Sequence, residues 1–123
     1  QGHAEFVVAL DDDPVVQPAL ADVQRQQGAF GDAKNLAYQA EQIFQKYHDS
    51  LQLAFVWHNL GLIYTQEQQV DQAHEYLERA INLYRQLGNR YGEERLFNEL
   101  KELEAVDIAL QVTHDYASAM STE

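Results

Sequence analysis

Cysteine is absent from this chain of 123 residues, and only two prolines, Pro14 and Pro18, occur in it. Without cysteine there are no disulfide bonds, thiolate nucleophiles or thiolate-ligated metal sites, although the cellular compartment stays open. Without proline after residue 18, nothing forces a helix to break. Glycine is scarce as well, with six residues. The length fits one domain, and these absences favour a domain built from helices.

Basic residues are also few. Lys and Arg total 8 against 20 Asp and Glu, which gives a formal net charge of −12. A chain with this charge repels phosphate backbones and anionic lipids. We therefore expect no nucleic-acid partner, and a neutral or basic protein or peptide as the partner instead.

Long apolar runs are missing too. No stretch approaches the roughly 20 apolar residues that span a bilayer, and no basic-then-apolar leader opens the sequence. We expect no membrane insertion and predict a cytoplasmic location. Gln1-Gly2-His3 resembles the remnant of a cleavable tag, so the protein itself begins near Ala4 or is a fragment of a longer chain. Residues 1–13 are interpreted as this remnant and an N-terminal arm, in which Glu5–Leu10 has a strand-like pattern but no second strand to pair with.

The rest of the chain is rich in Leu, Ala, Gln, Glu and Arg, which are good helix formers. Turn residues divide it, and Gly28 and Gly88 are the clearest helix stops. We predict an all-α domain over residues 14–120. The predicted helices run from about Gln17 to Gln27, Gly31 to Tyr47, Leu51 to Gln66, Val70 to Leu87, and from Tyr91 or Glu93 to Ser118.

The pattern of large and small residues returns after 40 residues. A unit of this length with two helices predicts a repeat stack, in which neighbouring units bury a core that one unit could not. The matching pairs include Leu20 and Leu60, Phe30 and Val70, Ala33 and Ala73, Ala40 and Ala80, and Phe44 and Tyr84.

The second unit carries the most specific motif. W-x-x-L-G-x-x-Y at residues 57–64 is followed by A-x-x-x-L-x-x-A at residues 73–80, and this resembles the tetratricopeptide repeat family. The resemblance covers about residues 14–104. The 40-residue period and the phrase L-G-N-R-Y-G-E at residues 87–93 resemble the longer-repeat branch, which includes kinesin light chains, LGN-type spindle adaptors and bacterial signalling proteins.

The resemblance implies a right-handed α-α superhelical stack of about two and a half helix pairs. The repeats would span residues 14–50 and 51–90, followed by a long capping helix over residues 91–120. Gln68 stands where the family usually has glycine in the turn, and a left-handed conformation there would destabilise the fold by about 1 kcal/mol.

The resemblance also implies a function as a protein–protein interaction scaffold, in which the first helices of successive repeats line a concave groove for a peptide or helix. Asn59 matches a family position that often bonds a ligand's backbone, as an amide can. The Lys and Arg of the family's chaperone-tail clamp are not matched, so we expect no chaperone-tail binding. Carried over by register, the groove residues are Arg25, Phe55, His58, Asn59, Leu62, Thr65, Gln66, Arg95 and Asn98, with Asp22, Glu99 and Glu102 beside them.

The C-terminal stretch leaves an alternative open, because its apolar residues form two stripes and a helix with two apolar sides needs two partners. The second partner is then the groove itself or a second copy of the chain. The alternative function is a homo-oligomerisation or spacer domain of a larger protein, whose groove is filled by its own C-terminal helix. One stripe contains Leu96, Leu100, Leu103, Val106 and Leu110, and the other Ala105, Ile108, Ala109, Val112 and Tyr116.

No pattern in the sequence indicates catalysis. His74-Glu75 lacks the second histidine of a zinc-protease motif, and no glycine-rich phosphate loop is present. The other histidines are scattered without metal-ligand spacing. We therefore predict that the protein is not an enzyme and uses no cofactor or metal.

Overall fold

A computed structural model describes residues 16–121 as five consecutive α-helices. No strand occurs within this part of the chain, so the all-α prediction is confirmed. The predicted N-terminal arm, with its strand-like Glu5–Leu10, lies outside the described residues. The helices are α1 (Val16–Gln26), α2 (Phe30–Lys46), α3 (Ser50–Gln66), α4 (Val70–Gln86) and α5 (Arg90–Ser121).

Most helix boundaries agree with the prediction to within one residue. Pro18 falls in the first turn of α1, where a backbone without an amide hydrogen loses no bond of the helix. The last helix is longer than expected, since α5 continues to Ser121.

A left-handed residue closes each of the first four helices. Its φ is +81° at Gly28, +55° at His48, +61° at Gln68 and +71° at Gly88, so these residues recur every 20 positions. At Gly88 the amide donates to the carbonyl of Arg85 at 3.1 Å, and the next amide donates five residues back at 2.8 Å. The same pair of bonds occurs at all four turns. This is the Schellman arrangement, which satisfies carbonyls that a helix end would otherwise leave unpaired.

The helices stack in sequence, each against the next. Helix α3 is central because it also contacts α1 and α5. Two apolar clusters form the core, one among α1, α2 and α3 and the other among α3, α4 and α5. Trp57 and Tyr64 of α3 pack against both clusters. The Trp57 indole Nε1 donates to Glu41 Oε2 at 2.8 Å, which fixes its polar edge against α2.

Small residues set how closely the helices approach. Ala33, Ala40, Ala73 and Ala80 are completely buried. Gly61 of α3 lies against Leu77 of α4, so a Cβ at position 61 would be 2.6 Å from Leu77 Cγ and 3.3 Å from its backbone nitrogen. These distances confirm the close contact that the L-G motif predicts.

Helix α5 has the two apolar stripes that the sequence predicts. Leu96 and Leu103 of the first stripe are buried, and Leu100 packs against the same cluster. The second stripe is open to solvent, since Ile108 and Val112 are 64% and 60% exposed. Beyond Leu103, no residue up to Ser121 is buried.

We expect Gly61→Leu to destabilise the fold by at least about 2 kcal/mol, because the added side chain overpacks the α3–α4 contact. Urea unfolding followed by circular dichroism measures the change. Gly31→Leu is the matched control, since nothing lies within 4 Å of a Cβ at that position. An unchanged stability of the Gly61 variant would show that the contact is looser than described.

We expect Gln68→Gly to stabilise the protein by about 0.5–1 kcal/mol. Glycine adopts the left-handed conformation without strain, and part of that gain is offset by its greater freedom in the unfolded chain. Gln42→Gly, the same change at an exposed position inside α2, should destabilise by about 1 kcal/mol. Thermal melts of both variants test the pair, and equal shifts would contradict the argument.

Candidate functional site

One face of α3 carries the residues around which the candidate site is built. Leu51, Phe55, His58 and Leu62 follow one another at spacings of three or four residues, which places them on one side of a helix. Helices α1 and α5 flank α3 and contact it directly. The face is therefore bordered by the first helix of each neighbouring repeat.

A pocket of about 400 Å³ opens where α3 meets the start of α5. Its walls are largely aromatic and aliphatic, with one charged group, Arg95. Gly92 allows the close approach of α5, since a Cβ there would lie 2.7 Å from the Tyr84 ring. The pocket is lined by Leu51, Gln52, Phe55, His58, Tyr84, Asn89, Tyr91, Gly92 and Arg95.

His58 lies at the pocket with a buried imidazole, 5% exposed. Its Nε2 atom has no hydrogen-bond partner among residues 16–121. Burial lowers the pKa of His58 to about 4, Arg95 and Arg25 lower it further, and Asp22 acts in the opposite direction. The side chain is thus neutral at pH 7, and one ring nitrogen is left for a group that enters the pocket.

The other part of the face is polar and already partly bonded. Arg25 Nη1 of α1 donates to Gln66 Oε1 of α3 at 3.0 Å. Arg25 Nη2 also pairs with Asp22 Oδ1 at 2.7 Å. The Thr65 hydroxyl donates to the carbonyl of Gly61 at 2.8 Å, so it serves its own helix.

Helix α5 brings acidic groups to the same region. The pKa of the half-buried Glu99 carboxyl is raised, first by burial and then by the nearby Glu102. Arg95 and Arg25 act on Glu99 in the opposite direction, which indicates that α1 and α5 influence each other across α3. A cationic group placed beside these carboxylates would relieve the repulsion between them.

The structure groups the expected groove residues in part. Phe55, His58 and Arg95 meet in the pocket, and Arg25 and Gln66 are joined by a hydrogen bond. Leu62 is half-buried on the same face of α3.

Two of the expected residues are placed differently. Asn59 is 3% exposed, so its amide is not open at the surface in the way that the resemblance implied. Asn98 lies apart from the pocket and lines a second one, together with Arg85 and Phe97. The positions differ because register along a helix fixes the face of a residue only coarsely, and neighbouring elements decide what covers it.

Several pocket residues were not among the expected ones. Tyr84 has core spacing in the sequence and is 6% exposed, yet its ring also forms a pocket wall. Asn89 and Tyr91 come from the turn between α4 and α5. The left-handed Gly88 is the available signal for them, because it marks the place where the chain turns back towards α3.

Within residues 16–121, no three His, Asp or Glu side chains are grouped so that they could hold a metal ion. None of the helices in this part of the chain combines the length and the apolar character needed to cross a membrane.

The buried His58 should make the stability of the protein depend on pH. Its folded pKa of about 4 lies below the ordinary 6.5, so between these values the unfolded chain binds more protons. Stability from this group is complete above about pH 6.5 and falls as the pH drops, by about 2 kcal/mol between pH 7 and 5. Urea titrations of wild type and His58→Gln should diverge by that amount, and parallel curves would contradict it.

Comparison with known proteins gives one match. A sequence model described as tetratricopeptide repeat matches residues 16–86, which is more than half of the 123 residues. Searches of curated proteins and of solved structures gave no match. The matched residues are those that form helices α1 to α4, with their regular turns and small-residue contacts. In general, repeats of this kind are protein–protein interaction modules, and the chain belongs to the tetratricopeptide repeat family.

Proposed function

We propose that this domain is an interaction scaffold or adaptor that holds a peptide or helical segment of another protein against the face formed by α1, α3 and α5. The proposal contains no catalytic step, cofactor or metal. The cytoplasmic location expected from the sequence stays a prediction.

The unpaired Nε2 of His58 at the pocket is the observation that carries the proposal. A buried polar atom without a partner costs free energy, and a ligand that supplies a hydrogen-bonding group recovers it. The aromatic rings of Phe55, Tyr84 and Tyr91 stand beside it. A concave apolar pocket with one well-placed polar group is the usual form of an anchor site for a side chain.

The charges beside the pocket favour a neutral to basic ligand. Asp22, Glu99 and Glu102 outnumber Arg25 and Arg95, and the raised pKa of Glu99 indicates repulsion that a cation would relieve. The net charge of the whole chain acts in the same direction and steers basic partners towards it. Because the face is built on helices, little conformational entropy is lost by the scaffold on binding.

We also propose that the chain belongs to the longer-repeat branch of the family. The left-handed residues of the turns support this, because Gly28 and Gln68, like His48 and Gly88, are 40 residues apart. The widespread form of the repeat has about 34 residues. The additional length lies in helices of 17 residues, as found for α2, α3 and α4.

The alternative function keeps the same face but gives it another occupant, the chain's own C-terminal helix. Residues 111–121 are exposed throughout, so this segment does not fill the groove in the structure. That exposure favours an external ligand for the pocket.

We expect Leu62→Arg to reduce partner binding at least tenfold while the helical circular dichroism signal is kept. The arginine introduces charge and bulk on the α3 face, where a ligand would lie. The measurement is a pull-down from lysate read by mass spectrometry, followed by calorimetry with the captured partner. Leu87→Arg is the matched control, because Leu87 is 45% exposed and lines neither pocket.

A protein captured by wild type and by the Leu87 variant, and lost with the Leu62 variant, supports the groove. Equal capture by all three would place the binding surface elsewhere. Loss of helical signal in the Leu62 variant would assign Leu62 to the core, and Phe55→Ser would then test the pocket in its place.

A further inference from the structure

Helix α5 carries an exposed apolar face that packs against nothing in its own chain. Phe97, Ile108, Val112 and Tyr116 are 54%, 64%, 60% and 68% exposed. With Ala105 they fall within about 100° around the helix axis, at 100° per residue. We call these five residues the α5 outer face. Four large apolar side chains on one face of one helix form more than scattered surface residues.

The origin of this face lies in a missing turn. The left-handed residues at 28, 48, 68 and 88 predict the next one at position 108, which is Ile108. A β-branched residue is strongly disfavoured in that conformation. The chain therefore continues as one helix through residue 108, with no turn to fold it back.

The segment beyond this position keeps the pattern of a second repeat helix. His114-Asp115-Tyr116 stands 40 residues after His74-Glu75-Tyr76, which belongs to α4. In α4 that helix packs against the first helix of its own repeat. The corresponding segment of α5 has the apolar residues for such packing, but its own chain does not supply the surface.

We propose that a second copy of this chain supplies it, through antiparallel pairing of two α5 helices along their outer faces. With residues 97 and 116 opposite each other, Phe97 meets the partner's Tyr116, and Ala105 meets the partner's Ile108. Both contacts occur twice, as a two-fold interface requires. The face spans residues 97–116, about 28 Å of helix, which gives room for several layers of contact.

The charges of α5 select this orientation. Residues 90–101 contain three basic residues, Arg90, Arg95 and Lys101, and two acidic residues, Glu93 and Glu94. Residues 102–121 contain no Lys or Arg, and their four acidic residues are Glu102, Glu104, Asp107 and Asp115. Antiparallel pairing sets the acidic half of one copy against the basic half of the other, whereas parallel pairing sets like charges together.

An open pocket lies where the partner's last turn would reach. It has a volume of about 490 Å³ between the end of α4 and α5, and Phe97 and Arg90 line it. In the same register the partner's Tyr116 and the partner's Met120 lie opposite Phe97 and Glu93. The partner's C-terminal half thereby takes the place of the second helix that the third repeat lacks.

The first test is the mass of the protein in solution at micromolar concentration, by sedimentation equilibrium. We expect a dimer for wild type and at least a tenfold larger dissociation constant for Val112→Glu. Ala117→Glu adds the same charge to an exposed position on the opposite side of α5 and should remain a dimer. A monomeric wild type, or equal weakening by both variants, overturns the proposal.

The second test determines orientation, and the absence of native cysteine makes it clean. A mixture of Phe97→Cys and Tyr116→Cys chains should form a mixed disulfide dimer on oxidation. Neither variant should cross-link with itself, because positions 97 and 116 are about 28 Å apart along α5.

Self-linking of either variant alone would show parallel pairing. Linking within one monomer of the double variant would show that residues 108–121 fold back on their own chain. Either result overturns the proposal. Leu62→Arg should leave the dimer intact, so failure of the groove and failure of this interface are distinguishable.

Discussion

The close contact between α3 and α4 at Gly61 and Leu77 is the constraint on which the rest of the structure depends. Helices that approach this closely can bury alanines completely, and both core clusters are built largely from alanine. The same closeness leaves the larger side chains of α3 at the borders of the stack. Phe55 and Leu62 therefore stand on the face between α1 and α5 and remain half-buried.

Much of the fold could be predicted from the sequence because its signals are local. Glycine stops, capping residues and the 40-residue shift placed four helices to within one residue. The burial of Leu96 and Leu103 beside an exposed Ile108 and Val112 followed from helical periodicity. The length of α5 could not be placed as well, because its end depends on a turn that is absent rather than on a residue that is present.

The candidate site was predictable only in outline. Register correctly brought Phe55, His58 and Arg95 to one face, but it gave no measure of depth. His58 lost its partner and its charge because the α4–α5 turn and α5 cover it, and these contacts are distant in sequence. The same coverage buried Asn59 and brought Tyr84 into the pocket wall. Side-chain environment is a property of tertiary packing, which a repeat consensus describes only on average.

Trp57 gives the stack a built-in reporter. It is the only tryptophan of the chain, and it packs against both core clusters while its indole bonds to Glu41 of α2. Its emission therefore responds to loss of packing in either repeat. Since both clusters share this side chain, neither can open without exposing it, and local repeat-by-repeat unfolding gives way to a single cooperative transition.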